Sequence, residues 1–211
     1  MYLSRLILDP QNRQVRKEFG NRYEFHRTLT AQFEGVAREK IGLLYRIEPS
    51  DPYEMAGNTV LVQTETEPCW DSLYERSMLM QKAEVKRFEP NIKNGDVFAF
   101  RLMANPTTRR NESQFAGKRV GLLLTEEQEA WLQRKGSQGG FKADQVSMKE
   151  EGRVVSNKMA EGKKAIITHQ AVLFEGILKV NDDERFVETI KHGIGSAKAF
   201  GFGLLSLARF I

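Results

Sequence analysis

The strongest constraint in this chain is a pattern of elements that occurs twice. Residues 1–8 alternate polar and apolar side chains, the period of a half-buried strand. After Asn21, the apolar residues Phe25, Leu29, Phe33 and Val36 recur at helical spacing. Residues 42–47 and 58–64 are apolar or β-branched runs bounded by Pro, Gly and Asn, and so are predicted strands. Asp71 caps a short predicted helix, and residues 83–88 supply a fourth strand. Pro90–Gly95 reads as a linker, after which the order restarts with a strand at Val97–Met103. Thr125-Glu-Glu-Gln128 is a capping box opening a helix through Leu132. Strands follow at 141–148, 152–156 and 165–179, then a helix capped by Asp183 and running to Lys191, then a last strand from Gly203. Two consecutive β-α-β-β-α-β units predict an α+β chain of two tandem ferredoxin-like (RRM-like) domains, 1–90 and 96–211, joined by a short linker. Each such sheet carries helices on one face and leaves the other for a partner, often RNA.

The fold hosts many functions, so charge and local motifs must supply the rest. Apolar residues make up 40% and charged residues 28%, too apolar a mix for a disordered chain. There is no bilayer-length apolar run and no signal-peptide layout at the start, and the single cysteine, Cys69, cannot close an intrachain disulfide. These features predict a cytoplasmic protein with no membrane partner. Residues 1–100 hold 14 basic and 15 acidic residues, whereas 101–211 hold 18 and 13. The excess is local: five cations against Glu112 alone between Arg101 and Arg119, and eight against four acids between Arg134 and Lys164. A local basic surface points to a polyanion, although a solvated face would have the same composition.

Three segments carry candidate chemistry. In Asn21-Arg-Tyr-Glu-Phe-His-Arg-Thr, Asn21 is placed at the N-cap and Glu24 three positions on, so a helix begins here with free N–H groups facing any anion. At about 100° per residue, Tyr23, His26, Arg27 and Thr30 share one sector beside the apolar face. An imidazole, a phenol and a guanidinium at a positive helix end can bind a phosphodiester and move protons around it; a boundary histidine capping a carbonyl is the structural alternative. The second segment, residues 193–203, has Gly193, Gly195, Gly201 and Gly203 with Ser196 and Lys198 between a helix and a strand. Its spacing matches neither a P-loop nor a dinucleotide fingerprint, but its glycines permit close approach to phosphate. The third, residues 149–164, reads as a basic hairpin able to enter a helical groove, with Arg153, Lys158, Lys163 and Lys164 as its cations. Arg109, Lys118 and Arg119 complete the candidate RNA-binding set. Three histidines and one cysteine give no zinc-type cluster, Asp182-Asp-Glu184 is better explained as a helix start, and no Gly-x-Ser-x-Gly elbow occurs. No metal and no small-molecule cofactor is expected.

Taken together, these residues resemble a known family. Tyr23-Glu-Phe-His26-Arg-Thr-Leu, Ala104-Asn-Pro106 with Gly117-Lys-Arg119, Ala171-Val-Leu-Phe-Glu-Gly176 and the terminal Gly-rich loop are similar to the CasE subunits of Cascade CRISPR complexes, from the first strand to the last. The resemblance implies a tandem ferredoxin-like endoribonuclease that cuts precursor CRISPR RNA at the base of repeat stem-loops, stays on the product and joins the other Cascade subunits. It implies that His26 transfers the proton with Tyr23 as its partner, that Arg27 and the Gly-rich loop contact the RNA backbone, and that the hairpin enters the stem's groove. This chain has Arg153 followed by Val154 and Val155 where the family's hairpin carries an arginine pair. The residue set fits metal-free 2′-OH attack, giving a 2′,3′-cyclic phosphate and a 5′-OH, with His26 as base or acid. A non-catalytic RNA-binding subunit of the same fold is the competing reading, and only Tyr23 and His26 separate the two.

Overall fold

The structure is a computed structural model that describes residues 1–49, 57–109, 119–160 and 163–209. In chain order the elements are β1 (Tyr2–Leu8), α1 (Arg13–Phe19), α2 (Arg22–Thr30), α3 (Arg38–Ile41), β2 (Leu44–Ile47), β3 (Asn58–Thr64), α4 (Asp71–Glu75) and β4 (Glu84–Arg87). These are followed by β5 (Val97–Ala104), β6 (Thr107–Arg109), β7 (Arg119–Gly121), α5 (Thr125–Gln138), β8 (Phe141–Ala160), β9 (Lys163–Val180), α6 (Asp183–His192), a 3-10 turn (Lys198–Phe200) and β10 (Leu205–Arg209). The first sheet has the order β2-β3-β1-β4 and the second β10-β5-β9-β8. In the first sheet β1 runs antiparallel to β3 and β4, and β2 to β3; in the second, β5 runs antiparallel to β9 and β10. Both orders are those of a ferredoxin-like βαββαβ unit, as the repeated pattern predicts.

The chain forms two compact units. The first comprises Met1–Glu89 with Val155–Thr168 and Ala199–Gly201, and the second comprises Pro90–Val154, His169–Lys198 and Phe202–Ile211. In the first unit β1 alternates as expected: Ser4, Leu6 and Leu8 are buried while Arg5 is exposed. Phe25 and Leu29 of α2 are fully buried against this face together with Tyr45, Val60 and Val62. Burying each large apolar side chain contributes about 1.5–3 kcal/mol, so the apolar stripe fixes the rotation of α2 and leaves Tyr23 and His26 at its margin. Trp70 enters the same core because its indole N–H donates to Ser4 Oγ at 2.9 Å. In the second unit Trp131 and Leu132 of α5 and Phe186 and Ile190 of α6 are buried with Leu102, Val172, Phe174 and Leu178 of the sheet.

Several local expectations are corrected. The helix after Asn21 ends at Thr30, and Phe33 and Val36 reach the core from the segment that follows it, in which Gly35 takes φ 77°. The sequence pattern does not predict helices α1 and α3 or the β6–β7 ribbon. The expected capping box does not form, because Leu124 is the N-cap of α5 without a side-chain bond and Thr125 is already helical. Asp182, not Asp183, caps α6 by accepting from the Arg185 N–H, and Trp70, not Asp71, precedes α4. The expected strands 141–148 and 152–156 are one strand, which leaves extended geometry at Gln145 (φ 46°) and Gly152 (φ 83°) without ending.

Candidate nucleic-acid interface

The first unit gathers its polar groups at the start of α2. Asn21 stands at the N-cap but makes no capping bond. Its amide instead pairs with the backbone of β8: Nδ2 donates to the Asn157 carbonyl at 3.1 Å, and Oδ1 accepts from the Asn157 N–H at 3.2 Å. The first N–H groups of the helix are thus left without a side-chain acceptor. The next residue, Arg22, is half-buried, and its guanidinium makes no ion pair or hydrogen bond with a described residue. Burial pulls its pKa down, while the nearby Tyr45 phenol opposes the shift. Partly buried cations are normally paired, so one with no partner among the described residues, beside a helix N-terminus, leaves its donors open to an anion.

Tyr45, on β2, supports this corner. Its hydroxyl is aimed at two carbonyls, of Arg22 at 3.0 Å and of Ala199 at 3.3 Å, tying α2 to residues 199–201. Burial pushes its pKa well above the usual phenol value, so it remains a neutral donor. Gly201 has φ 85°, and a Cβ there would lie 3.1 Å from the Tyr45 ring and 3.2 Å from an Arg22 nitrogen. A larger residue would therefore be strained in backbone and crowded in space. The Tyr23 ring lies 6.2 Å from that of Phe200.

His26 stacks on Tyr45 with centroids 6.3 Å apart and ring planes at 20°. Its pKa is lowered, first by burial and then by the positive charge of Arg38, so the imidazole is neutral at physiological pH. Its Nδ1 is buried with no hydrogen-bond partner among the described residues. No carboxylate among those residues orients the ring or raises its basicity, leaving its tautomer to whatever binds. Arg27 is exposed and pairs with Glu24 at 2.9 Å, a weak surface interaction that a phosphate can displace. Sequence reasoning missed Arg22, Tyr45 and Arg38. Arg22 lies inside the motif at the start of α2, whereas Tyr45 looks like an ordinary inward-facing strand residue.

In the second unit a cavity of about 210 Å³ brings Arg109, Arg119, Gly195 and Ser196 together, and adds Arg134, Lys135 and Trp131, which sequence reasoning did not select. Lys198 belongs to this group electrostatically, since its pKa is lowered by burial and then by the charge of Lys135. Gly195, at φ 86°, packs where a Cβ would come within 3.0 Å of the Trp131 ring. Ile194 N–H donates to the Gly203 carbonyl at 2.9 Å, and Gly203 N–H donates to the Met103 carbonyl at 2.8 Å, closing the base of the loop that Gly193 opens after α6. Arg153 is exposed on β8. Lys158 lies on β8, and Lys163 and Lys164 lie on β9, all by backbone position. Lys118 lies outside the described residues. His169 contacts Asn105 Nδ2 through Nδ1 at 3.0 Å, and His192 pairs with Glu188 at 3.2 Å.

Comparison with known proteins matches residues 1–209 to a family described as CRISPR associated protein. The chain is 39% identical over 217 residues to the CRISPR-associated endoribonuclease Cse3 of Thermus thermophilus, covering 99% of this chain and 100% of that protein. It is 31% identical over 216 residues to the CRISPR system Cascade subunit CasE of Escherichia coli, covering 99% of each. Among solved structures, CRISPR endoribonuclease Cse3 bound to a 19 nt RNA superposes with a TM-score of 0.86 at 37% identity, covering 99% of this chain and 100% of that one.

Proposed function

We propose, from the premise that this chain belongs to the CRISPR-associated protein family of Cse3 and CasE, that it is an endoribonuclease processing precursor CRISPR RNA. It cuts at the base of the repeat stem-loop without a metal, stays on the product and serves in a Cascade effector complex. We place this work in the cytoplasm; no described helix is long and apolar enough to cross a membrane.

One observation carries the chemical part of this reading. A neutral, half-buried imidazole, a phenol and a half-buried guanidinium with no partner among the described residues share the start of one helix. The depressed pKa of His26 suits a base better than an acid. In this reading His26 takes the proton of the ribose 2′-OH as that oxygen bonds to phosphorus. The bond from phosphorus to O5′ then breaks, and Tyr23 gives its proton to the departing O5′. Tyr23 regains a proton from His26 through solvent, and the products are a 2′,3′-cyclic phosphate and a 5′-OH. A positioned base is worth about 10²–10⁴-fold. Arg22 and the N–H groups of α2 stabilise the charge that develops on the pentacovalent phosphorus. A lone imidazole without a carboxylate is a modest base, so alignment of the bound RNA supplies much of the rate.

The test is to incubate the protein with the repeat RNA of its own host in excess EDTA, beside His26→Ala, and to define product ends by mass spectrometry. Cyclic-phosphate and 5′-OH ends, lost in the variant while binding is kept, are the expected result. Cleavage that persists after 2′-deoxy substitution at the scissile position would exclude 2′-OH attack. Tight binding without cutting by either protein would leave the structural RNA-binding role.

A further inference from the structure

The cavity of the second unit gathers like charges with no countercharge among its lining residues. Arg109, Arg119, Arg134 and Lys135 line it, and none of the three arginines makes an ion pair or hydrogen bond with a described residue. Lys135 donates only to the neutral Gln138 Oε1, at 3.2 Å, among the described residues. The cations feel one another, since the Lys135 pKa is lowered by burial and then by Arg134 and Arg119. Ser196 adds a buried hydroxyl oxygen that has no hydrogen-bond partner among the described residues. Such a cluster costs folding energy while empty, and an anion seated among these groups removes the repulsion and satisfies the hydroxyl.

Size and shape narrow the ligand. At about 210 Å³ the cavity is smaller than the roughly 300–1,000 Å³ typical of sites enclosing a whole small molecule. It therefore suits one charged group whose parent molecule continues outside. Guanidinium groups present forked donors that match phosphate oxygens. Trp131 is only 2% exposed, stacked on Phe174 at 6.0 Å and packed beneath Gly195, so its face is closed to a base. We propose that this pocket binds a backbone phosphate of the RNA strand, as a sequence-independent grip supplied by α5, the β6–β7 ribbon and the Gly-rich loop. This rests on the RNA-binding reading above and adds Arg134, Lys135 and the group they hold.

The test measures the affinity of the full chain for the host repeat RNA, and for a stem-loop of scrambled sequence, by fluorescence anisotropy across a salt series. Arg134→Ala combined with Lys135→Ala is expected to weaken both RNAs alike, by about 10-fold near physiological salt. It should also make the slope of log affinity against log salt shallower by roughly 0.7, for the one phosphate no longer neutralised. Arg119→Ala, from the ribbon instead of the helix, should give about half that slope change. Arg16→Ala with Lys17→Ala, on the exposed side of α1, controls for bulk charge. Unchanged affinity and slope in the double variant overturn the proposal. Inorganic phosphate and tripolyphosphate are titrated against tryptophan emission to separate the sources. A response that disappears in the double variant, with RNA affinity untouched, would assign the pocket to a free phosphate and overturn the RNA assignment. Cleavage is scored in the same reactions: a wild-type protein that binds but does not cut ends the nuclease reading alone, and a double variant that binds RNA as tightly as wild type ends this one alone.

Discussion

On the reading proposed above, the corner at the start of α2 and the cavity beside α5 both meet an anion, but by opposite means. The first places few charges in a half-buried setting: one guanidinium with no partner among the described residues, one neutral imidazole and one phenol, that of Tyr45, held by carbonyls. The second places three arginines and a lysine around an opening, with no acid among its lining residues. Proton transfer needs groups whose protonation is tuned near the working pH, and tuning comes from desolvation and a selected neighbour. Holding a strand needs only net charge and donors, and works best when many cations share the task. On that same proposed reading, one fold, used twice, separates changing a phosphodiester from gripping one, and substitutions in the two regions should therefore have different signatures.

The largest expected effect comes from His26. His26→Ala should lower single-turnover cleavage by about 10²–10⁴-fold and leave the RNA dissociation constant within a few-fold of wild type. Parallel losses in rate and affinity would erase the contrast between the two regions. Next comes Arg22. Arg22→Ala should slow cleavage by about 10²-fold, measured at saturating RNA, with Arg22→Lys recovering part of the loss because charge is kept while the forked geometry is not. An Arg22→Ala protein that cuts normally but binds weakly would move Arg22 into the gripping class.

Tyr45→Phe tests the scaffold beneath the chemistry. It removes a donor from the carbonyls of Arg22 and Ala199, one 23 and the other 154 residues away. The expected cost is about 1 kcal/mol of stability, read by denaturant titration, together with a several-fold loss in cleavage rate. Loss of stability with no change in rate would show that fastening residues 199–201 to α2 serves folding alone.

What can be read from sequence follows from which interactions are local. Alternation in β1, the β-branched run of β3 and the Phe25–Leu29 spacing each lie within one element, so both βαββαβ units are legible, and with them the side of α2 that carries His26. The predicted caps at Asp183 and Asp71 are each one residue late, because neighbouring positions offer nearly equivalent side chains or backbone. The long β8 reads as two strands because Glu150-Glu151-Gly152 has the composition of a turn; only pairing along the sheet shows that the chain passes through Gly152 and continues. Arg134 and Lys135 look like any solvated helix cations until α5 is set against Arg109 and Arg119. Tyr45 obeys the strand pattern so well that nothing marks its hydroxyl. Long-range partners, and not residue type, give these side chains their roles.

Arg38 offers the smallest effect and the finest test. His26 must be neutral to accept a proton, so cleavage should fall as pH drops through its pKa, which lies below the ordinary 6.5. Burial is the larger cause of that depression and Arg38 the smaller. Arg38→Ala should therefore raise the midpoint of the acidic limb by a fraction of a unit toward 6.5, without reaching it, and leave the rate on the alkaline plateau unchanged. Measured at pH 7.5 alone the variant would look silent, whereas a profile from pH 5 to 8 at saturating RNA would resolve it. A profile that instead rose toward acid and moved the same way would mean that the protonated imidazole is the active form and that His26 serves as the acid. A limb that did not move would locate the titrating group elsewhere, and the comparison between a tuned corner and a merely charged one would lose its electrostatic basis.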